Sequence, residues 1–267
     1  MARAILLLAL LPAAAFAQPE RAPGKGVNFY SIEREMALGR QLAEEFRRWT
    51  TPIWSPAALA YVNAIGQRLA AEIGGPPFTY RFALVADDPA ALHEVAAFPG
   101  GYLFVPASLI LAVKDEHELA GMLAHAIAHV AARDGTRAAT RAEVVEMASV
   151  PLIYVGGWPG YAMRQGAELA IPLAMMQMWR RYELEADRTA ARKMAAAGWD
   201  PAALARYIER VQATYDAQPA AWRALPRTAQ RVEAIQTVID ALPPQVYGPH
   251  EGLEAIQQEV RRATLPQ

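Results

Sequence analysis

The chain has 267 residues, and its 26 lysines and arginines nearly balance 27 aspartates and glutamates, which gives a formal net charge of −1. A chain of this length can bury a substantial core, and this charge balance argues against a nucleic-acid partner. The absence of cysteine excludes both disulfides and a lipid-modified cysteine.

The first 17 residues have the pattern of a cleaved signal peptide. Arg3 supplies a positive charge, an apolar run follows from Ala4 to Leu11, and Ala15-Phe16-Ala17 forms a small-x-small cleavage site. The apolar run is too short for a membrane anchor, and polar residues follow it at once. We therefore predict export, a mature chain that begins at Gln18, and a periplasmic location, where disulfides are permitted but not required.

Two helices are predicted next. A leader rich in proline and glycine occupies residues 18–30, and Ser31 can then cap a helix whose apolar residues recur at helical spacing. A second helix begins after Ser55-Pro56 and ends at the run Gly74-Gly75-Pro76-Pro77.

Two strands follow these helices. Thr79 to Ala86 alternates apolar and polar residues, and a second short strand ends at Pro106. The residues of the second strand are Gly101, Tyr102, Leu103, Phe104 and Val105. Because Pro99-Gly100 bounds it, we predict that the second strand lies near a sheet edge.

Beyond Asp115 the pattern is almost wholly helical. A membrane hairpin over Val144–Trp179 is one interpretation, but no uninterrupted apolar run reaches the ~18 residues that a span needs. We therefore predict buried helices and no transmembrane span in the mature chain. Without internal repeats, the simplest prediction is a predominantly helical α+β fold in which residues 31–267 form a single domain.

Two histidines in this helical region suggest a metal site. His125 and His129 lie four residues apart, about one helical turn, so both imidazoles project from one face and can bind one ion. The helix can be capped by Asp115. A histidine pair at this spacing is often accidental when it occurs alone. We expect His117, two turns earlier, to be a surface residue of the first turn.

A second helical segment strengthens the case. Glu183 and Asp187 again lie one turn apart, so one carboxylate can reach a metal while the other supports a ligand histidine. Zinc commonly takes two histidines and one glutamate, and an aspartate that accepts the other imidazole N–H fixes the ring. We assign that supporting role to Asp187. The alternative is that these acidic residues form a solvated helix face.

The chain resembles family forty-eight of the metallopeptidases, the zincin group that includes CAAX prenyl endopeptidases, HtpX and BepA. The resemblance extends from roughly Glu33 to Val232 and rests on five landmarks in order. They are the Pro-Gly-Gly turn at Pro99, the His125/His129 helix, Arg133 with Gly135-Thr136-Arg137, the Glu183/Asp187 helix, and Ala197-Gly198-Trp199-Asp200-Pro201.

This resemblance implies a zincin-like metallopeptidase domain that holds one Zn²⁺. It implies that His125, His129 and Glu183 are the zinc ligands and that Asp187 supports them. It also implies that the strand Gly101 to Pro106 is a sheet edge, to which an extended or unfolded polypeptide can add as a further strand.

The chain departs from the family motif His-Glu-x-x-His at Ala126. The missing glutamate deprotonates the zinc-bound water, and such a base contributes roughly 10²–10⁴-fold in rate. Leu225-Pro226 stands where relatives often have His-Pro, although Arg231 is kept, and Asp134 stands where a histidine is often seen. In a segment that also departs from the pattern, Glu94 is a candidate surrogate base.

Three functions remain open from the sequence. The first is a zinc endopeptidase that acts on unfolded or misassembled envelope proteins, with hydrolysis impaired by the loss of the base. The second is a non-catalytic, zinc-binding pseudopeptidase that holds extended polypeptide as a chaperone does. The third is a helical domain without metal. Ala126 favours the second function, and the intact ligand set disfavours the third.

Overall fold

The computed structural model describes residues 27–87, 94–153, 157–212 and 226–264. The predicted signal peptide and most of the predicted leader lie outside the described residues, as does Leu225. The helices are α1 Ile32–Trp49, α2 Pro56–Ile73, α3 Ala107–Ala112, α4 Glu116–Ala132, α5 Asp134–Ile153, α6 Gly157–Ala197, α7 Ala202–Gln212, α8 Thr228–Ala241 and α9 Leu253–Thr264. The strands are β1 Thr51–Pro52, β2 Arg81–Ala86, β3 Ala96–Phe98 and β4 Tyr102–Pro106.

The predicted helix starts are confirmed at three capping residues. The Ser31 hydroxyl accepts the Arg34 N–H at the start of α1, and the Ser55 hydroxyl accepts the Ala58 N–H at the start of α2. The Asp115 carboxylate accepts the Glu118 N–H at 2.9 Å in the first turn of α4. Each cap satisfies a backbone donor that the helix itself leaves without a partner.

The four strands form one mixed sheet in the order β1-β2-β4-β3. β2 and β4 are parallel, whereas β3 is antiparallel to β4 and β1 is antiparallel to β2. Together with the helices, this small sheet confirms the predicted α+β class with helices predominating.

The prediction that Gly101–Val105 form the sheet edge is wrong. β4 is paired on both sides, and the edge is taken by β3, which precedes it in a hairpin. The turn between them uses Gly100 and Gly101, whose φ angles of 78° and 99° favour glycine. The Pro-Gly-Gly sequence therefore marks a hairpin turn, and the proline lies between two paired strands.

Helix α4 runs through the middle of the hydrophobic core. Its apolar side chains Leu119, Leu123 and Ile127 are fully buried and join the core side chains of α2, such as Val62 and Leu69. α6, α2 and α7 pack around α4. This packing brings α6 alongside the histidine-bearing face of α4.

The sequence disfavours a membrane hairpin over Val144–Trp179, because its apolar runs are too short for a span. Among the helices that the structure describes, none combines the length and the hydrophobicity that crossing a bilayer would require. The extent of the domain, residues 31–267, stays a prediction.

Candidate metal centre

α4 and α6 bring His125, His129 and Glu183 into one cluster. The two Glu183 carboxylate oxygens lie 3.3 Å from the Nε2 atoms of His125 and His129, one oxygen to each ring. The two Nε2 atoms are 3.1 Å apart. One ligand atom from each residue lies within 4.8 Å of the others, so the three residues can hold a metal ion.

The separations in this cluster fit a single small cation. Ligands at about 2.0–2.2 Å from a tetrahedral ion lie about 3.3–3.5 Å from one another, close to the observed spacing. The donor set of two imidazoles and one carboxylate is one that catalytic zinc sites use, with a fourth position left open.

Each imidazole is held from behind by a carboxylate. Asp187 Oδ1 is 2.9 Å from His125 Nδ1, and Asp134 Oδ2 is 2.7 Å from His129 Nδ1. Because each carboxylate oxygen accepts the imidazole N–H, each Nδ1 carries a proton, which leaves each Nε2 to bind a metal ion or a second proton. The Glu183 carboxylate faces both Nε2 atoms, an arrangement that favours a cation between them.

The pKa values of His129 and Glu183 also indicate that the cluster favours positive charge. Burial opposes the charged form of His129, but the carboxylates of Glu183 and Asp134 outweigh it and raise its pKa to about 10. Burial also opposes ionisation of Glu183, yet the two neighbouring imidazoles hold its pKa well below the ordinary value. The cluster therefore attracts a proton when no other cation is bound.

Asp187 is fixed in turn by Arg231 on α8. The Arg231 guanidinium donates to both Asp187 oxygens at 2.7 and 2.8 Å, and its Nη2 lies 3.3 Å from His125 Nδ1. Asp187 and Arg231 are 0% and 1% exposed, so this pair is fully removed from water. Burial by itself would raise the pKa of Asp187. The charge and hydrogen bonds of Arg231 outweigh this effect and lower the pKa below its ordinary value, which favours the ionised carboxylate.

Ala126 occupies the position next to His125 on α4 and is buried. Its methyl group cannot accept a proton. Glu94, just before β3, belongs to the electrostatic surroundings of the cluster although the residue itself is exposed. Desolvation raises the pKa of the Glu94 carboxyl. The positive charge of Arg231 lowers this pKa, the negative charge of Glu183 raises it, and the net direction is upward.

Sequence reasoning missed two supporting residues and misplaced one histidine. In the sequence, Asp134 stands out only as a departure from a motif, although it follows His129 by five residues, and no local signal pairs Arg231 with Asp187. The prediction that His117 lies at the surface is wrong. His117 is buried, and its Nδ1 accepts the Asp200 N–H, because the segment between α6 and α7 covers this part of α4.

Several known proteins are similar to this chain. A beta-barrel assembly-enhancing protease from Yersinia pestis is 28% identical over 198 residues, which cover 71% of this chain and 40% of that protein. A protease HtpX homolog from Methylibium petroleiphilum is 34% identical over 203 residues, 70% of this chain and 66% of the relative. The mitochondrial metalloendopeptidase OMA1 of Schizosaccharomyces pombe is 29% identical over 188 residues, 68% and 52% of the respective lengths.

A buried helix with two histidines one turn apart, completed by a glutamate from a second helix, defines a metallopeptidase scaffold. The model of peptidase family M48 matches residues 56–239, well over half of the chain, and the chain belongs to this family. It spans about two fifths of the length of the Yersinia relative.

Proposed function

We propose that this protein is a zinc-binding member of its peptidase family that engages extended or unfolded polypeptides and hydrolyses them slowly or not at all. The observation that carries the proposal is the cluster of His125, His129 and Glu183, whose three ligand atoms converge while Ala126 replaces the general base. A zinc ion bound there would polarise a peptide carbonyl and acidify a bound water.

The side chains around the cluster support binding more than turnover. His125, His129 and Glu183 would hold the ion, and Asp187 would orient the His125 imidazole through its Nδ1–H group. No proton acceptor stands at residue 126, so this position can neither take a proton from a water nor return it to a leaving amine.

The polypeptide would bind along β3. Among the described strands β3 pairs on one side only, with β4, and an extended peptide can add to such an edge through main-chain hydrogen bonds. Glu94 lies two residues before β3 and shares the electrostatic surroundings of the cluster, which supports an edge close to the candidate metal centre.

Export to the periplasm and action on misassembled envelope proteins belong to the same proposal. The signal-peptide pattern of residues 1–17 supports export. The name of the Yersinia relative refers to beta-barrel assembly, which fits partners in the cell envelope.

Metal analysis of the purified protein tests the proposal. We expect about one zinc per wild-type chain and a loss of zinc in His129→Ala, because the remaining two ligands cannot complete the site. His117→Ala is the matched control, since His117 is a buried histidine on the same helix outside the cluster. Equal zinc content in wild type and His129→Ala would refute the proposed site.

A further inference from the structure

Asp134 is a buried carboxylate that bonds the imidazole of His129 from the side opposite Glu183. We propose that Asp134 is a positioning residue of the metal centre, so that the cation is held through two imidazole–carboxylate pairs, Asp187–His125 and Asp134–His129. This inference rests on the proposed metal-binding function.

The backbone between α4 and α5 is shaped to place Asp134. α4 ends at Ala132, and Arg133 adopts the left-handed conformation with φ 60° and ψ 35°, which is rare for a residue with a side chain. The chain thereby turns back, and Asp134 begins α5 beside the last turn of α4. Its Oδ2 lies 2.7 Å from His129 Nδ1, a short, charge-assisted distance.

This conformation is maintained by contacts with α1 and with the segment just before it. The Arg133 guanidinium donates to the Glu35 carboxylate at 2.6 Å and to the Tyr30 carbonyl at 2.6 Å. The Arg133 N–H donates to the carbonyls of His129 and Val130. The left-handed conformation is unfavourable for a residue with a side chain, and these bonds offset that cost. The turn that presents Asp134 is therefore anchored by another helix.

The burial of Asp134 argues for a role beyond starting a helix. Asp134 is 3% exposed, and an acidic residue that only stabilises the first turn of a helix can do so from the surface. Its Oδ1 has no hydrogen-bond partner among the described residues, so desolvation of this carboxylate is offset mainly through His129. The carboxylate is aimed at the one imidazole that Asp187 does not support.

The second pair also affects the charge of the centre. A divalent cation, the carboxylates of Glu183, Asp187 and Asp134, and the Arg231 guanidinium together have no net charge. Imidazoles that donate to carboxylates are more basic ligands, so both bind the cation more tightly.

Zinc affinity, measured by competition with a chromophoric chelator, tests this role without any activity assay. We expect Asp134→Ala to weaken zinc binding about 10–100-fold, and Asp134→Asn, whose amide oxygen can still accept from Nδ1–H, to weaken it less. Circular dichroism verifies that each variant is folded.

Glu116→Gln is the matched control. Glu116 is also a buried carboxylate at a helix start, but its partners are Tyr61, Trp199 and His250, so its zinc affinity should equal that of wild type. A cobalt-substituted sample adds a spectroscopic reading, because a rotated His129 changes the visible absorption of the metal whereas a weakened α5 does not.

Wild-type affinity and a wild-type cobalt spectrum in Asp134→Ala would overturn the inference while leaving the zinc site intact. If Asp134→Ala does not fold, Asp134→Asn is measured in its place, because its neutral amide cannot make the charge-assisted bond. A smaller loss of affinity then supports the role, and wild-type affinity with a wild-type cobalt spectrum refutes it. Absence of zinc from the wild type would instead refute the proposed function on which the inference rests.

Discussion

At the scale of single residues, the proposed loss of hydrolysis rests on Ala126. It lies between the two candidate ligands on α4, where the family motif has glutamate. The Asp187–Arg231 pair bonds His125, and His125, His129 and Glu183 converge beside Ala126. The surrounding side chains are therefore arranged to hold a cation although no glutamate stands at this position.

Restoring the base should restore hydrolysis. We expect Ala126→Glu to raise cleavage of casein or an extended peptide by about 10²-fold or more, because a positioned proton acceptor contributes that much. Ala126→Gln is the control, since it adds the same bulk without a basic carboxylate. Equal turnover in the two variants would show that something other than the base is missing.

The alternative to a missing base is that Glu94 acts as the base in place of residue 126. Its pKa is raised by desolvation, and it shares its surroundings with Glu183 and both histidines, so its carboxylate is the described candidate for an alternative base. We expect wild-type turnover at or near background. Measurable wild-type cleavage that disappears in Glu94→Gln would show that the enzyme is active and uses this residue.

At the scale of elements, the Arg231–Asp187 pair joins α8 to α6. Removing one partner leaves a buried charge without compensation, so we expect Arg231→Met to lower the free energy of unfolding by about 3–5 kcal/mol in zinc-free buffer. Denaturant titration measures the change. Arg231→Lys, which keeps the charge but loses the two-point contact, should fall between that variant and wild type.

The exposed ion pair Arg262–Glu259 on α9 offers the control for this measurement. Arg262→Met should leave the unfolding midpoint almost unchanged, because water already solvates both charges. An equally small effect of Arg231→Met would mean that the buried pair does not stabilise the packing of α8 on α6.

The hairpin turn between β3 and β4 is a second element that a single residue controls. Gly101 has a φ of 99°, and a methyl group there would lie 2.7 Å from the Thr79 carbonyl oxygen. We expect Gly101→Ala to lower the unfolding free energy by more than about 1 kcal/mol through strain and contact together. Thermal unfolding of Gly101→Ala and wild type measures this loss of stability.

Gly248→Ala serves as the comparison for the turn. An added methyl at Gly248 meets nothing within 4 Å, so its unfolding temperature should stay close to that of wild type. If Gly101→Ala were equally neutral, the turn could not be what places β3 at the sheet edge.

At the scale of the whole molecule, Glu116 connects distant parts of the chain to the start of α4. Its carboxylate accepts the Tyr61 hydroxyl of α2 at 2.6 Å and the Trp199 indole N–H at 2.8 Å, and it lies 3.0 Å from His250 Nδ1. The Arg68 guanidinium covers the Trp199 ring. One buried carboxylate thus joins α2, the α6–α7 junction and the segment before α9.

Removing one donor to Glu116 should weaken the whole assembly. We expect Tyr61→Phe to lower the unfolding free energy by about 1.5–3 kcal/mol, because a hydrogen bond to a buried charge is lost while the ring remains. Zinc affinity should not change, since the cluster lies two turns further along α4. In the control Tyr102→Phe, the ring contact with Arg81 is kept, and stability should be nearly that of wild type.

The sequence by itself determined the local features of this protein. The caps at Ser31, Ser55 and Asp115 follow from hydrogen bonds across three residues, and the shared face of His125 and His129 follows from the helical period. These features depend on atoms within one turn of each other, so the order of residues is sufficient to predict them.

Only the tertiary structure decided which strand is the edge and which groups support the histidines. The order β1-β2-β4-β3 depends on pairing between segments far apart in the chain, so Pro99-Gly100 could not distinguish an edge from a hairpin turn. Arg231 reaches Asp187 across 44 positions because α8 packs on α6, and Asp134 reaches His129 because Arg133 turns the chain back. The energies of such contacts depend on burial and on approach between elements, which local spacing does not contain.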